Sequence, residues 1–221
     1  MADDSFKEHS IFSSLNLDTL TLIARVAIRK KYQDGEWIVH NGQTWPYLFY
    51  VNRGIVQAIK ESPEGRSLLV VELKSGEVFW GLSFFIENAP MPVALVAKGD
   101  TSLDLWPLDE LKPIILSNGK MSWELTRLMI QKMQYASEIL NEFAFQPTTG
   151  RLARLLLDHF EDAVDDYVSR NMTLDEMAAR IGSTREMVCR QLYHLADQGA
   201  IQINRTELKI TDQDILKKLA G

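Results

Sequence analysis

The 221-residue chain carries a single cysteine, Cys189. It therefore holds no intramolecular disulfide and cannot alone supply the four thiolates of an iron-sulfur cluster. No apolar run reaches the length of a membrane span, and the N-terminus Met1-Ala-Asp-Asp-Ser-Phe-Lys-Glu8 is acidic and polar, unlike a signal peptide. A cytoplasmic protein with no membrane partner is expected. His9, His40, His159 and His194 have no His or Cys three or four residues away, the spacing of a metal site, so no metal is expected. Also missing are a phosphate-cradling glycine loop and a Ser or Cys nucleophile in a recognisable motif, which leaves an enzyme without support. Basic charge is scarce too: 24 Lys and Arg face 30 Asp and Glu, a net charge of −6 that repels a polyanion at long range.

Against that background stands the segment Thr173-Leu-Asp-Glu-Met-Ala-Ala-Arg-Ile-Gly182-Ser-Thr-Arg-Glu-Met-Val-Cys-Arg190. Thr173 with Glu176, and Ser183 with Glu186, each match the capping box S/T-x-x-E, in which a hydroxyl and a carboxylate satisfy orphan backbone donors at a helix N-terminus. Two short helices are thus predicted, turning at Gly182, a residue free to take positive φ. This is the outline of a helix-turn-helix. The second helix is predicted from about Thr184 to Gln198, stopped by Gly199. At 100° per residue Val188, Leu192 and Leu195 form its buried stripe, leaving Glu186, Arg190, Tyr193 and Asp197 opposite, with Arg185 beside them at the N-terminal end. Arg, Glu and Arg on the first two turns suit the DNA major groove: Arg grips guanine O6 and N7, and Glu accepts from cytosine N4. An ordinary solvated helix face has the same composition. Ala200-Ile-Gln-Ile203 and Leu208-Lys-Ile210 alternate around the turn-prone Asn204-Arg-Thr-Glu207, a predicted β-hairpin that completes a winged arrangement and carries Arg205 towards a phosphate. Between Arg180 and Arg205, four arginines face Glu186 and Asp197, so a basic face is expected on an acidic body whose surplus lies at Glu161-Asp162 and Asp165-Asp166.

These residues resemble the cyclic-AMP receptor protein and fumarate-nitrate regulator (Crp/Fnr) family of bacterial transcription factors. Ser183-Thr-Arg-Glu-Met-Val-Cys-Arg190 looks like its recognition helix, and Thr149-Gly-Arg-Leu-Ala153 like its hinge into the DNA-binding domain. The resemblance implies that Arg185, Glu186 and Arg190 read a TGTGA half-site, with Ser183, Thr184 and Arg205 at the DNA as well. Leu174, Met187 and Cys189 depart from the pattern, standing where the family commonly has a basic, a hydroxyl and a small residue. Cys189 beside two arginines suits a thiol switch; it equally suits a small tolerated side chain.

The N-terminal part is predicted to be β-rich. Residues 31–39, 47–51, 55–59, 68–73 and 93–97 form short β-prone runs punctuated by Gly35, Gly42, Gly54, Gly65 and Gly76, the pattern of a small antiparallel barrel or jelly roll. The resemblance makes this a cyclic-nucleotide-binding-like fold, through Tyr47-Leu-Phe-Tyr-Val51 and Ser75-Gly-Glu-Val-Phe79. The ligand segment departs from the family: Trp80 and Gly81 stand where Gly and the ribose-holding Glu would be, and Met91 and Pro92 where Arg and Ser would neutralise the phosphate. Burying a phosphate with no cation costs several kcal/mol, on the order of any unpaired buried charge, so an effector other than cyclic AMP is expected. Trp80, Gly81, Leu82, Phe84 and Met91 are the expected effector pocket. The bulk of Trp80, Phe84, Phe85 and Met91 suits a flat hydrophobic ligand or a haem, with His40 as an axial ligand, and it equally suits a filled core; no cofactor is required.

A helix is predicted from about Ser122 to Phe143. Met129, Met133, Ala136, Leu140 and Phe143 step by four and three, with Leu125, Leu128, Tyr135 and Ile139 as a second apolar line. Periodicity alone allows a core helix or a dimer seam; the resemblance implies a homodimer. The expected class is α+β: a sensor domain over 1–120, a dimerisation helix over 121–146 and a winged helix-turn-helix over 147–221. The expected function is an effector-controlled regulator that binds a palindrome in double-stranded DNA and recruits or blocks RNA polymerase. The alternatives are a cyclic-nucleotide-dependent or haem-dependent, gas-sensing regulator of the same fold, and a ligand-binding module that reads no DNA sequence.

Overall fold

The computed structural model describes residues 5–63, 66–160, 163 and 166–221; Gly65, Glu161, Asp162 and Asp165 of the sequence reading lie outside these. The chain divides into two compact units, Met1–Lys60 with Val70–Gln134, and Glu61–Leu69 with Tyr135–Gly221.

The first unit begins with two short helices, α1 (Ser10–Ser13) and α2 (Leu17–Val26). Then come β1 (Ile28–Tyr32), β2 (Trp37–Val39), β3 (Tyr47–Glu61), β4 (Ser67–Lys74), β5 (Val78–Trp80) and β6 (Ala94–Pro107), followed by α3 (Leu108–Ser117). Strand pairing runs β1-β6-β3-β4, with β2 also on β6 and β5 also on β3, antiparallel wherever registers are defined. The jelly-roll-like arrangement expected from the sequence is present, but its pairings do not close into a ring among the described residues. Two expected runs, 47–51 and 55–59, are one strand, because β3 continues through register shifts between Val51 and Ile55 instead of turning at Gly54. Conversely, the run at 31–39 is split, since residues 33–36 turn between β1 and β2.

Both faces of the sheet are covered, which explains why β3 opens as a continuous apolar run rather than an alternating one. Leu48 and Tyr50 point into a core with Phe6, Phe12, Ile23, Trp106 and Leu111, whereas Phe49 and Val51 point into another with Trp45, Leu95, Leu103 and Leu105. Trp106 is fully buried and its indole N–H donates to the carbonyl of Ile23 at 3.0 Å, so the polar end of the largest core side chain is satisfied. Asp104 is buried as well, and Arg29, its cross-strand neighbour, donates to both its oxygens at 2.7 Å.

His9 caps α1, its Nδ1 accepting from the amide of Ile11, and burial lowers its pKa, with Lys132 assisting and Glu124 and Glu77 opposing. A lowered imidazole pKa favours the neutral form in the folded state. The stability it contributes is present above the ordinary histidine pKa of about 6.5 and is lost as pH falls below it. Thermal melts of the wild type should therefore drop between pH 7 and 5 (roughly the range around that pKa) by more than those of His9→Gln; equal slopes would remove His9 as the cause.

The helix α4 (Gly119–Phe145) is longer at both ends than the spacing suggested. Asn118 accepts from the amide of Met121 at its start. Among its residues Trp123, Ile130, Met133 and Leu140 are strongly exposed, with Thr126, Ser137 and Ala144 completing two rows seven residues apart. Of the coiled-coil line expected from the sequence, Met133 and Leu140 lie here, while Phe143 is partly buried against Arg151, 4.7 Å from the guanidinium carbon to the ring centre.

The second unit contains α5 (Thr148–His159), β7 (Val168–Ser169), α6 (Leu174–Ile181), α7 (Arg185–Asp197), β8 (Ile201–Ile203), β9 (Glu207–Ile210) and α8 (Gln213–Ala220). Its core joins Leu152, Leu156, Met177, Ile181, Val188, Leu192, Leu195, Leu208 and Leu216. The wing is a three-stranded sheet, β7-β9-β8; the sequence reading missed β7, whose two residues carry no periodic signal.

Candidate nucleic-acid interface

The helix-turn-helix is built by local capping. Thr173 accepts from the amide of Glu176 at 3.1 Å while the Glu176 carboxylate accepts from the amide of Thr173 at 2.8 Å, so the first capping box forms as read. Thr173→Ala should destabilise the second unit by about 1 kcal/mol, within the ~0.5–2 range of such caps; an unchanged melting midpoint would contradict this. Gly182 takes φ 59°, ψ 48°, left-handed. A side chain there would be strained in backbone and would also collide with the ring of Phe143.

The second capping box does not form as read. The helix starts one residue later: Ser183 is still closing α6, its amide donating to Ala178 O at 2.9 Å, and Thr184 is the N-cap, accepting from Met187 N at 3.2 Å. Glu186 consequently sits in the first turn of α7 instead of reaching back as a cap partner. It accepts from its own amide and from the Thr184 hydroxyl, and with these bonds and the adjacent Arg185 charge its carboxyl is held below the ordinary range.

The buried stripe of α7 is Val188, Leu192 and Leu195, as the periodicity indicated. Arg185, Glu186, Arg190 and Tyr193 are exposed on the remaining surface. Arg185 Nη1 donates to Asp175 Oδ2 of α6 at 2.9 Å. Sequence reasoning missed Asp175, because a pair ten residues apart across a turn leaves no periodic trace. It also missed Gln191, whose Oε1 accepts from the Thr149 hydroxyl of α5 at 2.6 Å. Arg151 donates to the carbonyls of Gln146 and Ile181, tying the end of α4 to the end of α6. Arg205 is exposed at the tip of the β8–β9 turn. That turn is organised by Asn204, which accepts from the amides of Thr206 and Glu207. Cys189 is partly exposed on α7.

In the first unit the five expected pocket residues fall in different packing environments. Phe84 belongs to the core of Phe6 and Trp106, Met91 to that of Trp45 and Phe49, and Trp80, partly buried, stacks on Phe79 with ring centres 4.8 Å apart. Gly81 is pressed onto the backbone of Trp45, and Leu82 opens the short 3₁₀ turn Leu82–Phe84. Of the five, only Phe84 lines a surface cleft of about 810 Å³, together with Tyr47, Phe85, Leu108, Lys112 and Leu116. His40 is exposed and stacks on Trp37 with centres 4.9 Å apart. No cluster of His, Cys, Asp or Glu able to hold a metal occurs among the described residues, and no described helix is long and apolar enough to cross a membrane.

A two-helix motif with basic groups on its second helix, beside a three-stranded wing, together with a jelly-roll-like unit, defines a winged helix-turn-helix protein with a second, jelly-roll-like domain. The model of the Crp-like helix-turn-helix domain matches residues 150–219, and that of the cyclic nucleotide-binding domain matches residues 29–118. The chain is 27% identical over 175 residues to the cAMP-activated global transcriptional regulator CRP of Salmonella typhimurium, covering 77% of this chain and 83% of that one. It is 25% identical over 182 residues to the cAMP-activated global transcriptional regulator Vfr of Pseudomonas aeruginosa, covering 79% and 85%. A solved regulator of the crp/fnr family from Eubacterium rectale shares its fold, with a TM-score of 0.80, 22% identity, and coverage of 95% and 97%. The chain belongs to the Crp/Fnr family and is a DNA-binding transcription regulator.

Proposed function

We propose that the protein acts in the cytoplasm as a homodimer that reads a TGTGA-like palindrome under the control of an effector other than cyclic AMP, and that it contacts RNA polymerase. In this reading residues 1–120 sense, 121–146 dimerise and 147–221 bind DNA. The observation that carries it is the exposure of Arg185, Glu186 and Arg190 on the first two turns of α7, with Glu186 and Arg190 opposite the buried Val188, Leu192 and Leu195 and Arg185 flanking them. Ser183 and Thr184, at the helix start, and Arg205, on the wing, hold the backbone on either side. The exposed rows of α4 support dimerisation, since Trp123, Ile130, Met133 and Leu140 offer an apolar seam at heptad spacing. A two-fold pair then spans half-sites about 34 Å apart.

Supporting a different effector, Trp80, Gly81, Leu82, Phe84 and Met91 contribute no cation for a phosphate, and Trp80, Gly81, Phe84 and Met91 are packing groups. A cyclic-AMP-dependent regulator is the second reading, favoured by the cAMP-activated relatives.

The test is titration of a TGTGA palindrome and of random duplex with purified protein, with and without cyclic AMP, alongside its sedimentation mass and absorption spectrum. Dimer mass and nucleotide-independent preference for the palindrome are expected. Binding only with cyclic AMP would replace the effector assignment by the second reading, a Soret band would make it haem, and equal binding of both duplexes would overturn the site assignment.

A further inference from the structure

Arg185 opens α7 with a side chain 61% exposed, yet it is not idle: its Nη1 holds Oδ2 of Asp175, itself 67% exposed, at 2.9 Å. Both groups lie on the open surface beside the base-reading residues, where a negative charge would ordinarily be out of place in a DNA-binding module. Asp175 sits in the first turn of α6, where the helix dipole favours a carboxylate. The neighbouring Glu176 is consumed by the capping box with Thr173, so Asp175 is the acid of that turn directed at Arg185.

From this geometry we propose that Asp175 is a positioning residue for DNA reading: it holds Arg185 by Nη1, leaves the Nε and Nη2 edge for guanine, and sets the ratio of specific to non-specific affinity. The proposal rests on the reading of Arg185 given above and adds a partner and a regulatory consequence to it.

The chemistry follows from the shape of the guanidinium. It carries five N–H donors in a rigid plane, and a guanine takes only two of them, so one edge can stay on a carboxylate while another meets O6 and N7. Among the described residues Asp175 is the one hydrogen-bond partner of the Arg185 guanidinium, whose charge also lies beside Glu186. A free arginine at this position would swing among phosphates on any sequence. One neutralised by Asp175 releases few counterions when it meets a phosphate, and non-specific binding is almost wholly that counterion term. On the correct base pair the fixed plane is already aligned and loses less side-chain freedom on contact. Thus the same carboxylate weakens the sequence-independent term and spares the specific one. The arrangement also accounts for a reading head with acids close to its arginines in a chain of net charge −6.

The experiment compares wild type, Asp175→Asn, Asp175→Glu, Arg185→Ala and the Asp175→Asn/Arg185→Ala double variant on the palindrome and on random duplex of equal length, over a series of salt concentrations. Asp175→Asn should bind random duplex more tightly, with a log K against log salt slope steeper by about one per protomer. Its ratio of specific to random affinity should fall roughly two- to thirtyfold, the range for two exposed ion pairs in a dimer. Asp175→Glu should keep most of the ratio, and in the Arg185→Ala background the Asp175→Asn change should have no further effect on it. An unchanged ratio in Asp175→Asn, or the same fall persisting without Arg185, overturns the proposal. Melting curves of each variant separate these outcomes from loss of fold, which would weaken both duplexes alike. If wild type does not prefer the TGTGA palindrome, the half-site assignment fails first, and the ratio is measured on the sequence enriched from a randomised duplex pool. Absence of any enrichment would sink both readings.

Discussion

Arg190→Ala should weaken binding to a TGTGA palindrome by about 1 to 3 kcal/mol per half-site and relax discrimination at one base pair, while random duplex is bound nearly as before. Arg190 is exposed on α7 and lies outside the core of Val188, Leu192 and Leu195, so its truncation leaves the fold intact. Surface substitutions of this kind change stability by no more than about 0.5 kcal/mol. The whole loss is then assigned to the contact with DNA. In the proposed dimer the side chain is presented twice, so a site with both half-sites intact should suffer about twice the penalty of one with a single half-site, provided the two act independently. An equal loss on random duplex would instead show Arg190 holding a phosphate, and would move sequence reading to Arg185 and Glu186.

Gly81→Ala should destabilise the jelly-roll-like unit while leaving the winged helix-turn-helix unit unaffected. The amide of Gly81 donates to Tyr47 O at 2.8 Å, which draws the loop against β3. There a single added methyl would run into the carbonyl oxygen of Trp45, a backbone atom that cannot swing aside. The conformation is not the reason, since φ is −75° and suits any residue. The penalty is steric, at least the ~1–3 kcal/mol of an overpacked core. Two-step melting, with the early transition lowered by Gly81→Ala and the other unmoved, is the expected record. A wild-type profile would mean that the loop can retreat from Trp45. Expected from the sequence to lie in the effector pocket, Gly81 has a packing task against Trp45.

The helix-turn-helix half was more legible than the jelly-roll-like half, for a physical reason. Caps, a left-handed glycine and a 3.6-residue stripe act within one or two turns, so Thr173, Glu176, Gly182, Val188, Leu192 and Leu195 could be placed from spacing alone. Even so, the second capping box slipped by one residue, since Ser183 and Thr184 are equally good caps and the choice depends on how Ser183 closes α6. In the jelly-roll-like half the β-prone runs were recognisable, but their lengths were not. Pairing to distant strands carries β3 through Gly54 and extends β6 from Ala94 to Pro107. The bulky residues of the expected pocket were identified by type, and type does not say which side of a sheet a residue faces.

By itself, then, the sequence determined the helix-turn-helix, its buried stripe and the exposure of Arg185, Glu186 and Arg190, because these depend on contacts between neighbours along the chain. Only the tertiary structure decided that Phe84 and Met91 belong to different cores, that Gly81 lies against Trp45, and that Asp175 holds Arg185. Each of those facts joins residues whose separation follows no period of helix or strand. They arise when whole elements pack, and a rule of local spacing has no means of registering them.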